Sequence, residues 1–125
     1  MRSPFFVGGK STQASQPNVA ATVQYKDIGF TIDVPKGHTA FLIATADLRG
    51  FAGCNSRCDI YSDGLQVMGA FIYTQDGLIR GGTCQGRVGP GRHFVQLMMT
   101  ANPAGGSVES GSLSYVIGQS GGVAS

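Results

Sequence analysis

The chain has 125 residues, 42% of them hydrophobic, which is enough for one domain with its own apolar core. Charged residues make up 13% and the net charge is +2, with no basic block, which excludes a protein that binds nucleic acid by neutralising phosphates. Twenty glycines and five prolines divide the apolar residues into short runs. This pattern predicts short strands joined by tight turns and excludes long amphipathic helices.

The first 18 residues differ from the rest of the chain. An apolar patch, Phe5, Phe6 and Val7, precedes a stretch of small and polar residues that includes Gly, Ser, Gln and Pro. We expect an extended N-terminal arm over residues 1–18 that is poorly ordered by itself. Because adjacent phenylalanines are unfavourable in water, we expect the patch to dock. It could bind a partner protein, or cap one end of its own sandwich or of a sister subunit.

From Val19 onward the apolar residues alternate with polar ones, which predicts a single β-sandwich domain over residues 19–125. Turn residues such as Pro35-Lys36-Gly37 and Ser62-Asp63-Gly64 separate the strands. The predicted strands cover residues 19–25, 28–34, 39–47, 57–62, 65–74, 78–88, 93–101 and 111–118. About eight antiparallel strands at this spacing predict an all-β fold, a sandwich or a jelly roll.

Two of these strands, 39–47 and 65–74, are apolar on both faces. One sandwich core covers only one face of a strand. The apolar side chains on the other face of strand 65–74 must therefore be buried by something else. That row contains Met68, Ala70 and Ile72, and we predict that it forms the interface of a homo-oligomer, most simply a trimer. A neighbouring loop or the N-terminal arm could instead cover the row within one chain.

Three cysteines leave several interpretations open. Cys54, Cys58 and Cys84 could bind zinc together with His93, but the ligand spacing lacks a second close cysteine pair, and we expect no bound metal. Cys54 and Cys58 could form a disulfide that closes a surface loop over residues 48–56, with Cys84 a buried apolar residue. Reduced cysteines are favoured over the disulfide, because a protein that is not secreted is made in the reducing cytosol.

Catalytic and cofactor motifs are incomplete. The run Gly8–Thr12 resembles the end of a phosphate-binding loop, but Pro4 stands where that loop requires glycine. His38 and His93 have no acid at a fixed spacing, and no nucleophile elbow or metalloprotease motif is present. We therefore expect a protein that is not an enzyme and has no cofactor.

Membrane association is not expected from the sequence. No apolar run reaches the length of a membrane span, and the N-terminus lacks the apolar core of a signal peptide. We expect the product to stay in the cytoplasm of the cell that makes it until that cell lyses.

Two segments carry a resemblance to a known group of proteins. Residues 27–45 (DIGFTIDVPKGHTAFLIAT) and 88–97 (VGPGRHFVQL), followed by the closing SLSYVIG, resemble small β-sandwich modules of tailed-bacteriophage virions. The resemblance covers residues 19–118 and consists mostly of turn and core positions. Such modules occur in tail-fibre tips, head fibres and capsid decoration (cement) proteins. The resemblance implies a virion structural protein without shared catalytic residues.

An apolar arm ahead of a small sandwich favours a decoration protein that binds the major capsid protein or another virion protein. The alternative is a tail-fibre or receptor-binding module that contacts glycan on the host surface. A cellular carbohydrate-binding domain is a third possibility, but such domains usually present Trp or Tyr platforms, and this chain has no Trp and four Tyr.

Overall fold

The structure is a computed structural model that describes residues 6–50, 55–68, 78–102 and 105–119. These residues form nine strands and contain no helix. No segment within these four ranges is therefore a helix long and apolar enough to cross a membrane. The strands are β1 (Phe6–Thr12), β2 (Gln16–Pro17), β3 (Val23–Val34), β4 (His38–Arg49), β5 (Asn55–Ser62), β6 (Leu65–Met68), β7 (Ile79–Val88), β8 (Gly91–Asn102) and β9 (Ser107–Gln119).

The strands form two antiparallel sheets. Sheet A has the order β1-β9-β4-β7, with the short β2 also paired to β9, and sheet B has the order β3-β8-β5-β6. The chain changes sheet at most of its connections, as in β3 to β4, β7 to β8 and β8 to β9. Two facing sheets connected in this way form a jelly roll. The predicted all-β antiparallel sandwich is confirmed.

The core lies between the sheets and is built by alternate residues of each strand. In β8, Val95, Leu97 and Met99 point inward and are completely buried. The inward row of β4 is also buried and consists of Ala40, Leu42, Ala44, Ala46 and Leu48. Full burial of each leucine stabilises the fold by about 1.5–3 kcal/mol.

The hairpin between β5 and β6 has the turn that its sequence predicts. Asp63 and Gly64 both have positive φ, 54° and 81°. Positive φ at both central residues is the geometry of a two-residue hairpin turn, which Asp-Gly adopts at low cost. The backbone N–H of Asp63 also donates to Phe94 O over 2.8 Å, which ties the turn to β8.

The predicted strands over residues 19–25 and 28–34 are joined in the structure. Residues 23–34 form one long strand, β3, whose pairing with β8 shifts register between Gln24 and Gly29, and residues 19–22 precede it outside any strand. Lys26, in the middle of this bulge, has φ of 51°. A bulge lets one strand change register without ending, so Lys26 and Asp27, which separate the two predicted strands, lie within β3.

The N-terminal segment requires a correction. Residues 6–12 do not form an arm outside the sandwich, because they pair with β9 from Phe6↔Ile117 to Thr12↔Gly111 as strand β1 of sheet A. The edge of β9 offers unpaired backbone N–H and C=O groups, and these accept a strand with few apolar side chains.

Asn18 anchors the end of that segment in the sandwich. Its side chain is buried and donates through Nδ2 to Ser56 Oγ over 2.7 Å and to Thr100 O over 2.8 Å. Its backbone N–H donates to Gly106 O over 3.0 Å. The side chain thus links the start of the domain to both β5 and β8.

Two other predicted boundaries differ from the structure. Both ends of the loop predicted over residues 48–56 belong to strands, since β4 continues to Arg49 and β5 begins at Asn55, and residues 51–54 lie outside the described part. Of the strand predicted over residues 65–74, the structure describes β6, and residues 69–77 lie outside the described part.

Candidate functional site

The predicted binding residues are only partly within the described part of the chain. Phe6 and Val7 are exposed at the start of β1, and Met68 is exposed at the end of β6. Phe5, Ala70 and Ile72 lie outside the described residues. The oligomer interface predicted at Met68, Ala70 and Ile72 therefore stays a prediction.

The outer face of sheet A carries a group of exposed apolar side chains, called here the apolar cluster. Val7, Val116 and Phe41 are successive Cα partners across β1, β9 and β4, so they form one row over three strands. Ile43 occupies the next outward position of β4. The exposed fractions are 64% for Val7, 45% for Phe41, 39% for Val116 and 38% for Ile43. These side chains face solvent, while the opposite faces of β4 and β9 are buried in the core.

Small polar residues occupy the rest of this face. A complete row across the four long strands consists of Ser11, Ser112, Thr45 and Thr83. The hydroxyls of Thr45 and Ser112 hydrogen-bond over 2.5 Å, and Ser110 Oγ donates to Asp47 Oδ2 over 2.5 Å. In the outward rows from Phe41 to Asp47, the charged residues are Asp47 and Arg87. The face is therefore flat, weakly charged and apolar at one end.

An open groove lies beside the apolar cluster at the β7 edge of sheet A. It is lined by Phe41, Val67, Met68, Gln85, Gly86 and Arg87. A Cβ built on Gly86 would lie 2.8 Å from Val67 Cγ1, so only glycine lets β6 pack this closely against β7. The groove thus places a phenyl ring, an amide and a guanidinium beside one another.

The sequence contains a signal for the apolar cluster, although the predicted interface lies on another strand. Residues 39–47 and 65–74 are both apolar on two faces, and the prediction placed the interface on the second of these strands. The structure shows that Phe41 and Ile43 occupy the outward face of β4. The sequence does not mark Val116 in this way. The alternation of Leu113, Tyr115 and Ile117 already predicts a half-buried strand, and Val116 then lies on its polar face.

Cys58 and Cys84 are buried free thiols on β5 and β7. Burial raises the pKa of Cys84 to about 12 and raises that of Cys58 further. The Cys58 thiol is free, so the structure does not contain the Cys54–Cys58 bridge, and Cys54 itself lies outside the described residues. Both thiols stay protonated at neutral pH, which makes them poor nucleophiles and poor metal ligands.

His93 has an acidic partner that the sequence did not indicate. Its Nδ1 lies 2.8 Å from Asp63 Oδ2, and its Nε2 lies 2.8 Å from Gly89 O. The hydrogen bond to Asp63 raises the pKa of His93, and the same bond lowers the pKa of Asp63. Because both ring nitrogens face acceptors, the pair holds a turn together and is not free to act as a general base.

Of the four residues considered as zinc ligands, the three that the structure describes, Cys58, Cys84 and His93, do not meet. His93 is bonded at the β7–β8 turn, while Cys58 and Cys84 lie in the core. In the four described ranges, no three His, Cys, Asp or Glu side chains are close enough to hold one metal ion.

Glu109, on β9, is hydrogen-bonded to two serine hydroxyl groups. Glu109 accepts hydrogen bonds from Ser107 Oγ and, over 2.9 Å, from Ser15 Oγ. The bond from Ser107, followed by that from Ser15, lowers the pKa of Glu109. This carboxylate therefore connects the segment before β2 to β9, which is a structural role.

Comparison with solved structures adds a fold relationship. The structure of the infectious bursal disease virus Gx strain matches 97% of this chain with a TM-score of 0.64 and 14% identity. The infectious bursal disease virus VP2 subviral particle matches 96% with a TM-score of 0.65 and 12% identity. The chain shares the fold of the matched part of these viral proteins. It spans 34% of the length of each viral chain.

Carbohydrate-binding modules are matched more distantly. The family 35 module from Cellvibrio japonicus Abf62 is matched over 85% of this chain and 92% of the module, with a TM-score of 0.48 and 14% identity. That similarity is too low to indicate a shared function. No protein-family model and no curated protein sequence matches the chain.

Proposed function

We propose that this chain is a structural protein of a virus particle, of the decoration type found on tailed bacteriophages. It binds the outer surface of the capsid as a homotrimer, without catalysis, metal or cofactor. The observation that carries the proposal is the apolar cluster on the outer face of sheet A. A row of solvent-facing apolar side chains on a flat sheet is typical of a surface that another protein covers.

The chemistry of this face suits a protein lattice. The hydroxyls of Thr45 and Ser112 bond each other and Ser110 bonds Asp47, so these groups can be covered without being left unsatisfied. Its weak charge removes the desolvation cost that a charged face would carry. Val7, one of the residues predicted to bind a partner, belongs to the apolar cluster, so the sequence prediction and the exposed face coincide there.

The size of the face favours a multivalent protein. Four strands about 4.8 Å apart and a length of about 20 Å give roughly 400 Å² of flat area. A stable interface between two proteins covers about 800 Å² on each partner. One copy would therefore bind weakly, whereas three linked copies on a repeating lattice would bind far more tightly. The exposed Met68, at the end of β6, is the described residue of the predicted trimer contact.

The fold relationship is consistent with this role. A jelly roll of this size presents two flat outer faces and needs no disulfide to be stable, which suits a subunit that packs side by side with others. Assignment to a bacteriophage comes from the resemblance of residues 27–45 and 88–97, and the choice of decoration among the roles of such modules comes from the apolar cluster.

A second candidate is a fibre module that contacts glycan on a host surface. The groove at Phe41, Gln85 and Arg87 favours it, because an aromatic ring beside hydrogen-bonding groups suits a sugar. Copy number separates the two candidates. Quantitative mass spectrometry of purified virus particles should find many copies of the chain per particle if it decorates the capsid. A handful of copies, located at the tail by labelled antibody, would support the fibre module instead.

A further inference from the structure

The N-terminal strand β1 is held by its backbone and not by its side chains. None of its seven residues is buried, in contrast to the buried rows of β4 and β8. Its side-chain link to β3 is exposed: Lys10 Nζ donates to Asp27 O over 3.3 Å and lies 3.8 Å from Asp27 Oδ2. Exposed pairs of this kind contribute about 0–1 kcal/mol. The pairing with β9 therefore supplies most of the free energy that holds β1.

The residues that follow β1 are held much more firmly, because hydrogen bonds join them to the rest of the sandwich. Ala14 O accepts a hydrogen bond from Tyr25 Oη over 2.5 Å, and Tyr25 is completely buried. The side chain of Gln16 accepts from Lys26 N over 2.7 Å and donates to Gln24 O over 3.3 Å. Asn18 then enters the core. The boundary between the weakly and firmly held parts lies at Gln13, which is exposed.

The complementary surface on β9 is shaped for this strand. A Cβ built on Gly9 would lie 2.6 Å from Leu113 O, and one built on Gly8 would lie 2.7 Å from Tyr115 Oη. The two glycines thus let β1 lie close against β9 and against the ring of Tyr115. Every copy of the chain carries both this acceptor edge and a strand that fits it.

We propose that β1 exchanges between copies of this chain, so that β1 of one copy pairs with β9 of a neighbour in the register seen within one chain. The partner is a second copy because the hydrogen bonds that break within one chain re-form unchanged between two chains, and exchange then costs only the entropy of association. A released strand of seven residues reaches about 24 Å, which exceeds the width of one sandwich face. In a trimer, exchange in one direction closes a ring in which each copy donates and accepts one strand.

Exchange is independent of the virion role and requires only that copies meet. A trimer that decorates capsids without exchanging β1 would contradict this inference and leave the proposed function intact. Conversely, a protein that exchanges β1 but is absent from virus particles would contradict the proposed function alone.

The experiment uses one cysteine on each partner strand. Ser11 and Ser112 are Cα partners in the observed register. Ser11→Cys and Ser112→Cys are made in separate chains that also carry Cys54→Ser, which leaves the buried Cys58 and Cys84 as native thiols. The two variants, distinguished by mass, are mixed and incubated in a glutathione redox buffer, whose glutathione disulfide accepts the two electrons of bond formation. Products are quantified on non-reducing gels and by peptide mass spectrometry.

We expect a disulfide-linked heterodimer joining positions 11 and 112, at about tenfold the yield of a control mixture, because pairing raises the local thiol concentration. The control pairs Ser11→Cys with Gln85→Cys, an exposed residue two strands away from β9 on the same face. The double variant Ser11→Cys/Ser112→Cys, at low concentration, should form the bond within one chain and verify the geometry. If that bond forms and the mixture shows no excess over the control, β1 does not exchange.

Discussion

His93 donates a hydrogen bond from Nδ1 to Oδ2 of Asp63 over 2.8 Å and so joins the β7–β8 turn to the β5–β6 turn. The opposite ring nitrogen donates to Gly89 O over 2.8 Å. Both partners are acceptors, so the ring donates both bonds only when both nitrogens carry protons, and the charged form is therefore favoured. The second carboxylate oxygen of Asp63 accepts from Phe94 N over 2.9 Å.

This pair predicts a pH dependence of stability. The pKa of His93 is raised above 6.5, so its contribution is complete below pH 6.5 and is lost as the pH rises through the folded-state pKa. The pKa of Asp63 is lowered below 3.8, so its contribution is present above pH 3.8 and is lost as the pH falls. The contribution of this pair to stability should therefore be greatest between pH 3.8 and pH 6.5. Melting temperatures measured from pH 3 to pH 9 would show it.

The variant His93→Gln should lose the pH-dependent contribution of this pair to stability. Its melting temperature should therefore vary less between pH 6 and pH 8 than that of the natural chain. His38→Gln is the matched control, since His38 lies at the start of β4 and bonds Lys36 O. An unchanged pH profile in His93→Gln would show that the pair does not contribute.

Polar substitution of the apolar cluster should weaken association without weakening the fold. The double variant Phe41→Ser/Val116→Ser removes two exposed side chains, so the free energy of unfolding should change by less than about 1 kcal/mol. Binding to virus particles, measured by co-sedimentation, should fall at least about tenfold. Leu65→Ser is the control, because Leu65 is 74% exposed but lies on β6, away from the cluster. Equal binding by the natural chain, the double variant and Leu65→Ser would show that this face is not part of the interface.

Gly9→Ala should release β1 from β9. The added methyl group would contact Leu113 O and the Cα of Ser114, which are backbone atoms that cannot move aside. Hydrogen exchange of amides in residues 6–12 should become faster, while exchange in β4 and β8 stays slow. Gly118→Ala is the control on β9, where a built Cβ meets nothing within 4 Å. Similar protection of residues 6–12 in both variants would show that β1 tolerates the methyl group.

Asn18→Ala should destabilise the whole domain. The change leaves Ser56 Oγ and Thr100 O without their buried donor, which costs about 1–3 kcal/mol. Urea unfolding should show the loss as a lower midpoint with an unchanged slope. Gln13→Ala, five residues earlier and exposed, should have a midpoint close to that of the natural chain. A normal midpoint for Asn18→Ala would mean that water replaces the amide.

The buried thiols should be unreactive in the folded protein. Cys58 and Cys84 have raised pKa values because of burial, so alkylation by iodoacetamide at pH 8 should label neither until the protein is unfolded. Peptide mass spectrometry under non-reducing conditions would check the labelling and also detect a bridge. A peptide pair joining Cys54 to Cys58 would contradict the free thiol of Cys58.

Local sequence signals determined the strands and most turns of this protein. Alternation from Ala40 to Leu48 defines which face of β4 is buried, and Asp63-Gly64 specifies a turn that few other residue pairs adopt. These signals depend on neighbouring residues, whose periodicity and backbone preferences act before any distant contact forms.

The tertiary structure alone decided how distant segments combine. Phe6 pairs with Ile117 through backbone hydrogen bonds, and backbone groups carry no side-chain signature, so the sequence suggested a free arm where β1 lies in sheet A. The apolar row of Val7, Val116 and Phe41 likewise exists only because β1, β9 and β4 are neighbours in one register. Strand order follows from the total burial of two sheets against each other, a free energy that belongs to the whole fold and to no single segment.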